Sequence, residues 1–190
     1  HEEALLEVVS YQSEGHDAAL SVDHWVDSVY HRAPLALPEL SGVGIGSADL
    51  FDVMELIAPW EGDGLAVSPY PGPGQRGVPT SFDSDRESPD PAPTRGVVGY
   101  PVTLGFLMAD AGGGGNPYSI AVDRAATSLD GPDGPVDIDI LEPASDETLL
   151  RTIALVPHEP LAPGTTYTVS VALDLATGPV EEVWSFTTAR

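Results

Sequence analysis

The residues of this chain best suited to chemistry lie in one short segment, 25–32, which reads Trp-Val-Asp-Ser-Val-Tyr-His-Arg. His31 is a candidate metal or cavity ligand, because a neutral imidazole binds divalent ions well. The alternative is a histidine in the last turn of a helix, where it interacts with free carbonyl groups and the negative end of the dipole. His24, Asp27 and His31 share a helical face, so a surface metal site and a solvated polar face both fit the spacing.

A second group of potential ligands lies in one acidic loop. Its four carboxylates belong to Asp83, Asp85, Glu87 and Asp90. Calcium takes about six to eight oxygen ligands from such loops, and an EF-hand needs glycine at the sixth position and glutamate at the twelfth. Ser88 and Thr94 stand at those positions. The loop is therefore predicted to be an acidic, proline-rich connector, with a calcium site on the four carboxylates as the alternative.

Nucleophilic catalysis finds little support in the sequence. Ser28 lies three residues before His31, and a helix would bring the two side chains near each other. Neither a Gly-x-Ser-x-Gly motif nor a recognisable oxyanion hole accompanies them. With 30 acidic residues in 190, chance pairs of carboxylates are common and carry no signal. We therefore predict no catalytic residues and a protein that is not an enzyme.

Composition excludes several classes of function. The chain has 30 acidic residues against seven arginines and no lysine, which gives a formal net charge of -23. Such a charge repels a phosphate backbone, so we expect no nucleic acid partner. No run of about 18 apolar residues exists, so no membrane span is predicted. Without cysteine there is no disulfide, and without a visible signal peptide we expect a mature product or a fragment.

The segments that must position these residues fall into two kinds. Apolar side chains at helical spacing over 18–29 predict a helix that ends before Pro34. The pattern Gly44-x-Gly46 and the run 53–57 predict a strand or two. Beyond residue 79, seven short β-type runs separated by turn residues favour a β-sandwich, among them 100–108, 149–156 and 165–173.

The second half of the chain resembles the bacterial Ig-like domains of cell-surface proteins. The resemblance is carried by 156–169, Val-Pro-His-Glu-Pro-Leu-Ala-Pro-Gly-Thr-Thr-Tyr-Thr-Val, and by the ending Trp-Ser-Phe-Thr-Thr at 184–188. Tyr167 is expected to close one end of the sandwich with its hydroxyl hydrogen-bonded. Trp184 and Phe186 are expected to share one face of the last strand. The resemblance implies an Ig-like β-sandwich over 79–190.

The first half resembles the C-terminal part of a CAP (SCP-like extracellular) domain. The family's pattern is matched by Trp25, Ser28, His31, Arg32, Gly44 and Gly46. The resemblance implies a cavity in which His31, together with Glu7 on a preceding strand, faces a metal, a lipid or a peptide. Residues 1–63 correspond to part of such a domain, so further site residues would come from upstream or from another chain.

These observations predict a mainly β protein with a partial CAP-like α/β segment (1–63), a Gly/Pro-rich linker (64–78) and an Ig-like β-sandwich (79–190). We expect a secreted or cell-surface bacterial protein with a spacer, adhesion or structural role and no required cofactor. The alternatives are a CAP-type cavity that holds Zn²⁺, Mg²⁺ or Ca²⁺, a lipid or a peptide, and a calcium-stabilised adhesin. Expected partners are cell-surface components, a second copy, or the rest of the CAP domain. The apolar face of residues 18–29 must be covered by another element.

Overall fold

The computed structural model describes residues 4–11, 18–58, 64–109, 121–175 and 178–190. Its helices are α1 (Ala18–Val26) and α2 (Arg32–Leu35). In chain order the strands are β1 (Ala4–Tyr11), β2 (Gly42–Ala48), β3 (Phe51–Ala58), β4 (Gly64–Tyr70), β5 (Arg76–Val78), β6 (Ser81–Asp83), β7 (Val97–Gly99), β8 (Val102–Ala109), β9 (Ala121–Val122), β10 (Ser128–Gly131), β11 (Gly134–Pro135), β12 (Ile138–Leu141), β13 (Thr152–Pro157), β14 (Thr166–Leu175) and β15 (Gly178–Thr188). Neither helix in these ranges has the length and apolar character needed to cross a membrane.

The N-terminal part is a three-stranded antiparallel sheet in the order β1-β3-β2. The strands predicted at Gly44-x-Gly46 and 53–57 are β2 and β3. One face of this sheet carries α1, because Trp25 is buried in a cluster with Val8, Met54 and Leu56. We call this part the three-stranded unit.

The larger part contains two sheets that enclose one hydrophobic core. One sheet has the order β12-β13-β8-β4; the other has the order β11-β10-β14-β15-β5, with β9 beside β14. Core side chains come from both sheets and include Leu104, Phe106, Ile153, Val169 and Phe186. The chain is thus mainly β, and this two-sheet unit is compatible with the predicted β-sandwich.

The aromatic residues singled out in the second half lie where they were expected. The Tyr167 hydroxyl accepts a hydrogen bond from the Ala162 N–H at 2.9 Å, and the Tyr167 ring stacks on Phe186. Trp184 and Phe186 are both buried on one face of β15. The Trp184 Nε1–H donates to the Pro71 carbonyl at 2.9 Å, which ties the two sheets together at this end.

Residues 64–78, expected to form a linker, contribute a strand to each sheet. β4 pairs with β8 along its whole length, from Gly64 opposite Ala109 to Tyr70 opposite Thr103. β5 then pairs in parallel with the end of β15. The high proline and glycine content obscured the alternating apolar side chains of β4, and Leu65 and Val67 pack against the core.

The sheet β12-β13-β8-β4 is buried on both faces at its centre. All six residues of β13 are buried, although alternate side chains point to opposite faces. One face meets the core of the two-sheet unit, and the other lies under residues 29–37, where Val29 and Ala33 are fully buried. Val29 packs against Leu149 and Ala154. The apolar face of residues 18–29 is therefore covered, by the three-stranded sheet at Trp25 and by the two-sheet unit at Val29.

Gly105 of β8 allows this second face to be covered closely. A Cβ atom at position 105 would lie 2.0 Å from the Ala36 carbonyl oxygen. We therefore expect Gly105→Ala to push residues 29–37 away from the sheet and to lower the free energy of unfolding by about 1–3 kcal/mol. A Cβ atom at Gly44 would meet nothing within 4 Å, so Gly44→Ala should stay within about 0.5 kcal/mol of the parent. Urea unfolding measures both, and equal midpoints for the two variants would contradict this packing.

Candidate functional site

The segment 25–32 leaves the three-stranded unit and turns onto the two-sheet unit. α1 ends at Val26, earlier than the predicted helix with His31 in its last turn, and α2 begins at Arg32. His31 therefore lies immediately before the short second helix and not in the last turn of the first. Its Nδ1 atom lies 3.4 Å from Glu87 Oε1. His24, Asp27 and His31 line one cleft but do not belong to one continuous helix.

The contact that fixes this segment is made by the buried carboxylate of Glu87. Its two oxygens accept hydrogen bonds from the Val29 N–H at 2.8 Å and the Tyr30 N–H at 2.6 Å. These amides begin a helical turn, since the Ala33 N–H donates back to the Val29 carbonyl, and amides at such a start have no partner within the turn. A carboxylate is favoured there because the start of a helix carries partial positive charge. Glu87 thus acts as an N-terminal cap supplied by another part of the chain.

Arg32 places a positive charge beside this cap. The side chain is only 1% exposed, and its guanidinium carbon lies 4.6 Å and 5.0 Å from the ring centroids of Tyr70 and Tyr100. Its Nη1 donates to the Pro101 carbonyl at 2.8 Å. Burial lowers the pKa of Arg32, while the two tyrosines and the carboxylates of Asp27 and Glu87 act in the opposite direction. The guanidinium is therefore held by aromatic faces and a backbone carbonyl that suit a buried cation.

Three further polar contacts join residues 27–39 to the two-sheet unit. The Tyr100 hydroxyl donates to Asp27 at 2.7 Å, and the Tyr30 hydroxyl donates to Asp146 at 2.8 Å. Arg151 and Glu39 form a buried ion pair. Burial, and then the hydrogen bond to a carboxylate, raise the pKa of Tyr30. For Tyr100, burial is again the largest cause and raises the pKa, against an opposing effect of Arg32.

A cleft of about 500 Å³ lies where the two units meet. It is bordered by the end of β1, by residues 24–31, and by residues 79–87 of the two-sheet unit. Its lining combines aromatic with polar side chains, namely Tyr11, His24, Asp27, His31, Phe82 and Arg86. Trp25 also lines it, and the buried Trp25 Nε1–H has no hydrogen-bond partner among the described residues. This composition suits a small organic ligand with both apolar and hydrogen-bonding groups.

The two residues implied by the CAP resemblance lie on a second cavity of about 430 Å³. Glu7 and His31 both line it, together with Tyr30, Pro34 and Pro89. Within the described ranges, no group of three or more His, Asp or Glu side chains is close enough to hold a metal ion. A zinc ion needs three or four protein ligands, so His31 and Glu7 would require further ligands to hold one.

Three of the four carboxylates predicted for calcium have separate partners within the protein. Asp83 pairs with Arg86 at 3.2 Å, and Asp90 accepts a hydrogen bond from the Ala92 N–H at 2.8 Å. Asp85 is exposed, whereas Glu87 is buried on the amides of Val29 and Tyr30. The loop therefore directs its only buried carboxylate to the segment 25–32.

Comparison of the sequence with protein families and with curated proteins found no relative of this chain. No protein-family model matches the chain, and no curated protein sequence matches it significantly. The resemblances to CAP and Ig-like domains stay predictions that rest on the residues quoted above.

Several residues at this junction were not found from the sequence. Glu87 was predicted only as a calcium ligand, and Tyr70, Tyr100 and Asp146 were not singled out at all. Each contacts a residue far away in sequence; Tyr30 and Asp146, for example, are 116 positions apart. Local spacing contains no signal for such contacts.

The role of Glu87 predicts that substitutions of two acidic residues in the same loop will lower the free energy of unfolding by very different amounts. Glu87→Ala leaves two buried amides without a partner and removes a negative charge near Arg32, so the free energy of unfolding should fall by about 2–4 kcal/mol. The matched control Asp85→Ala removes an exposed carboxylate and should change it by less than about 0.5 kcal/mol. Chemical denaturation of both variants measures this. Similar losses for the two would contradict the proposed cap.

The buried phenols predict an alkaline loss of stability. The folded chain keeps Tyr30 and Tyr100 protonated because their pKa values are raised, whereas the unfolded chain releases those protons near pH 10. The folded state then binds more protons, so stability is fully present below about pH 10 and declines above it. Urea unfolding between about pH 8 and pH 11 should show this decline, and Tyr100→Phe should reduce its slope. The control Tyr11→Phe, at a side chain 68% exposed, should leave the slope unchanged.

Proposed function

We propose that the protein is a secreted or cell-surface, non-enzymatic module that acts as a rigid spacer or adhesion unit. In this proposal a CAP-like segment is fixed to an Ig-like sandwich, and the two present their surfaces in one constant orientation. The observation that supports it best is the burial of Glu87 and Arg32 between the two units, with Glu87 holding the amides of Val29 and Tyr30. No cofactor is required for this role.

The nature of the contact between the units favours rigidity. Domains joined through small, polar interfaces usually move relative to one another. Here the contact is apolar at its centre, where Val29 packs on Leu149 and Ala154, and it is bordered by the Arg151–Glu39 ion pair and the Tyr30–Asp146 hydrogen bond. Sliding would expose apolar surface and separate buried charges, and both changes cost free energy.

The absence of cysteine from the sequence makes a direct test of this rigidity simple. Single cysteines replacing Leu20 and Val183, which are 49% and 59% exposed, would carry spin labels on the two units. Double electron–electron resonance should give one narrow distance distribution. The same labels on Glu87→Ala should give a broader distribution, whereas on Asp85→Ala the distribution should stay narrow. A broad distribution in the otherwise unchanged chain would overturn the rigid-unit proposal.

A second candidate function is supported by one observation, the common cavity of Glu7 and His31. In that case the cavity accepts a metal, a lipid or a peptide, with further site residues supplied from upstream or by another chain. A divalent ion that binds the folded chain would raise the melting temperature. Thermal melts with Zn²⁺, Mg²⁺ and Ca²⁺ separate the candidates: an increase that His31→Ala abolishes favours a metal-binding cavity, and unchanged melting excludes these three ions as ligands.

A further inference from the structure

The face of the three-stranded sheet that points away from α1 is apolar and exposed. Register places Glu7, Val9 and Tyr11 of β1 directly opposite Glu55, Val53 and Phe51 of β3. The exposed fractions on this face are 43% for Val9, 68% for Tyr11, 49% for Phe51 and 39% for Ile57. We call this the outer sheet face. A folded protein rarely exposes so many large apolar side chains together unless they form an interaction surface.

Strand β2 contributes glycines, and therefore no large side chains, to one edge of the outer sheet face. Its residues on that face are Gly42, Gly44 and Gly46, directly opposite Ile57, Glu55 and Val53. A Cβ atom at Gly44 or Gly46 would meet nothing within 4 Å. The glycines therefore leave a shallow groove along β2, bordered by the side chains of β3.

The charge on this face is unbalanced. Glu7 and Glu55 are exposed and directly opposite each other on neighbouring strands, an arrangement that destabilises a sheet unless a cation lies nearby. The only arginine of residues 1–63 is Arg32, and it is buried against Tyr70 and Tyr100. Residues 1–63 thus offer no arginine or lysine to the two glutamates, and a basic side chain of the molecule that covers the apolar side chains would supply the missing positive charge.

The size of the face suits one helix better than a second copy of the chain. Three strands of about eight residues cover about 27 Å by 14 Å, or about 400 Å², and a helix of about 18 residues has the same length. A stable dimer needs about 800 Å² from each partner. A second copy would also bring further carboxylates against Glu7 and Glu55.

We propose that the outer sheet face docks an amphipathic helix of a partner protein, one that carries lysine or arginine beside its apolar stripe. The apolar stripe lies in the groove over β2 and against Val53 and Ile57, and a basic side chain reaches Glu7 and Glu55. This inference goes beyond the spacer or adhesion role, and its failure would leave the rigidity test unaffected.

The test measures binding of labelled 18-residue peptides to the full chain by fluorescence anisotropy. The probe is a peptide of leucine and lysine with its leucines at helical spacing. One control peptide has the same composition in an order without that spacing, and another replaces every lysine by glutamate. The helical leucine–lysine peptide should bind at least about tenfold more tightly than either control, because only it combines an apolar stripe with positive charge.

Variants of the chain locate the binding. Gly44→Gln fills the groove without a clash and should weaken binding at least about tenfold, and the double variant Glu7→Gln/Glu55→Gln should weaken it at least about fivefold and make it less dependent on salt. Val183→Gln, at an exposed apolar position of β15, is the matched control and should leave affinity unchanged. Unchanged melting temperatures would show that all three variants fold.

Three outcomes would overturn the proposal. The first is equal binding of the two leucine–lysine peptides, the one with leucines at helical spacing and the one without that spacing. Equal binding would mean unspecific attraction of a basic peptide to an acidic protein. The second is undiminished binding by both face variants. The third is a concentration-dependent dimer, seen by sedimentation, that Gly44→Gln dissociates, because the face would then belong to a second copy.

Discussion

The structure depends on the hydrogen bonds between the Glu87 carboxylate and the amides of Val29 and Tyr30. These amides belong to buried residues at the start of a helical turn, so they need an acceptor from elsewhere in the fold. The acceptor comes from an acidic loop in the two-sheet unit, 57 and 58 residues away. Once these amides are fixed, residues 29–37 lie flat on the sheet β12-β13-β8-β4, and α1 and the three-stranded sheet are placed with them.

The buried charges around this contact are interdependent. Arg32 and Glu87 each lose hydration, and neither would be stable alone in this environment. Arg32 is compensated by two aromatic faces and the Pro101 carbonyl, and Glu87 by two amides. Because each charge has its own partners, the cluster is not a simple ion pair. Removal of either residue leaves the partners of that residue unsatisfied, which is more costly than the absence of an attraction between the two.

Prediction from sequence succeeded where a pattern is local and failed where a contact is distant. Period-two alternation placed Trp184 and Phe186 on one face of the last strand, and the predicted hydrogen bond of the Tyr167 hydroxyl is confirmed. Proline and glycine concealed β4, because turn residues outweighed its few apolar positions. The role of Glu87 could not be predicted, since thirty acidic residues offer no local mark of the one that becomes buried.

Helix α1 covers one face of the three-stranded sheet, and a binding partner could cover the apolar side chains of the other face. A three-stranded sheet needs a packed face for stability, and α1 supplies it at Trp25, Met54 and Leu56. The opposite face gains nothing from that packing and keeps its apolar side chains in solvent. Glu7 connects this face with the rest of the junction, because it lies on the outer sheet face and also lines the cavity that contains His31. A molecule that covered the outer sheet face would therefore also change the border of that cavity. Because Glu87 of the two-sheet unit bonds the amides of Val29 and Tyr30, this change would take place beside the contact between the two units.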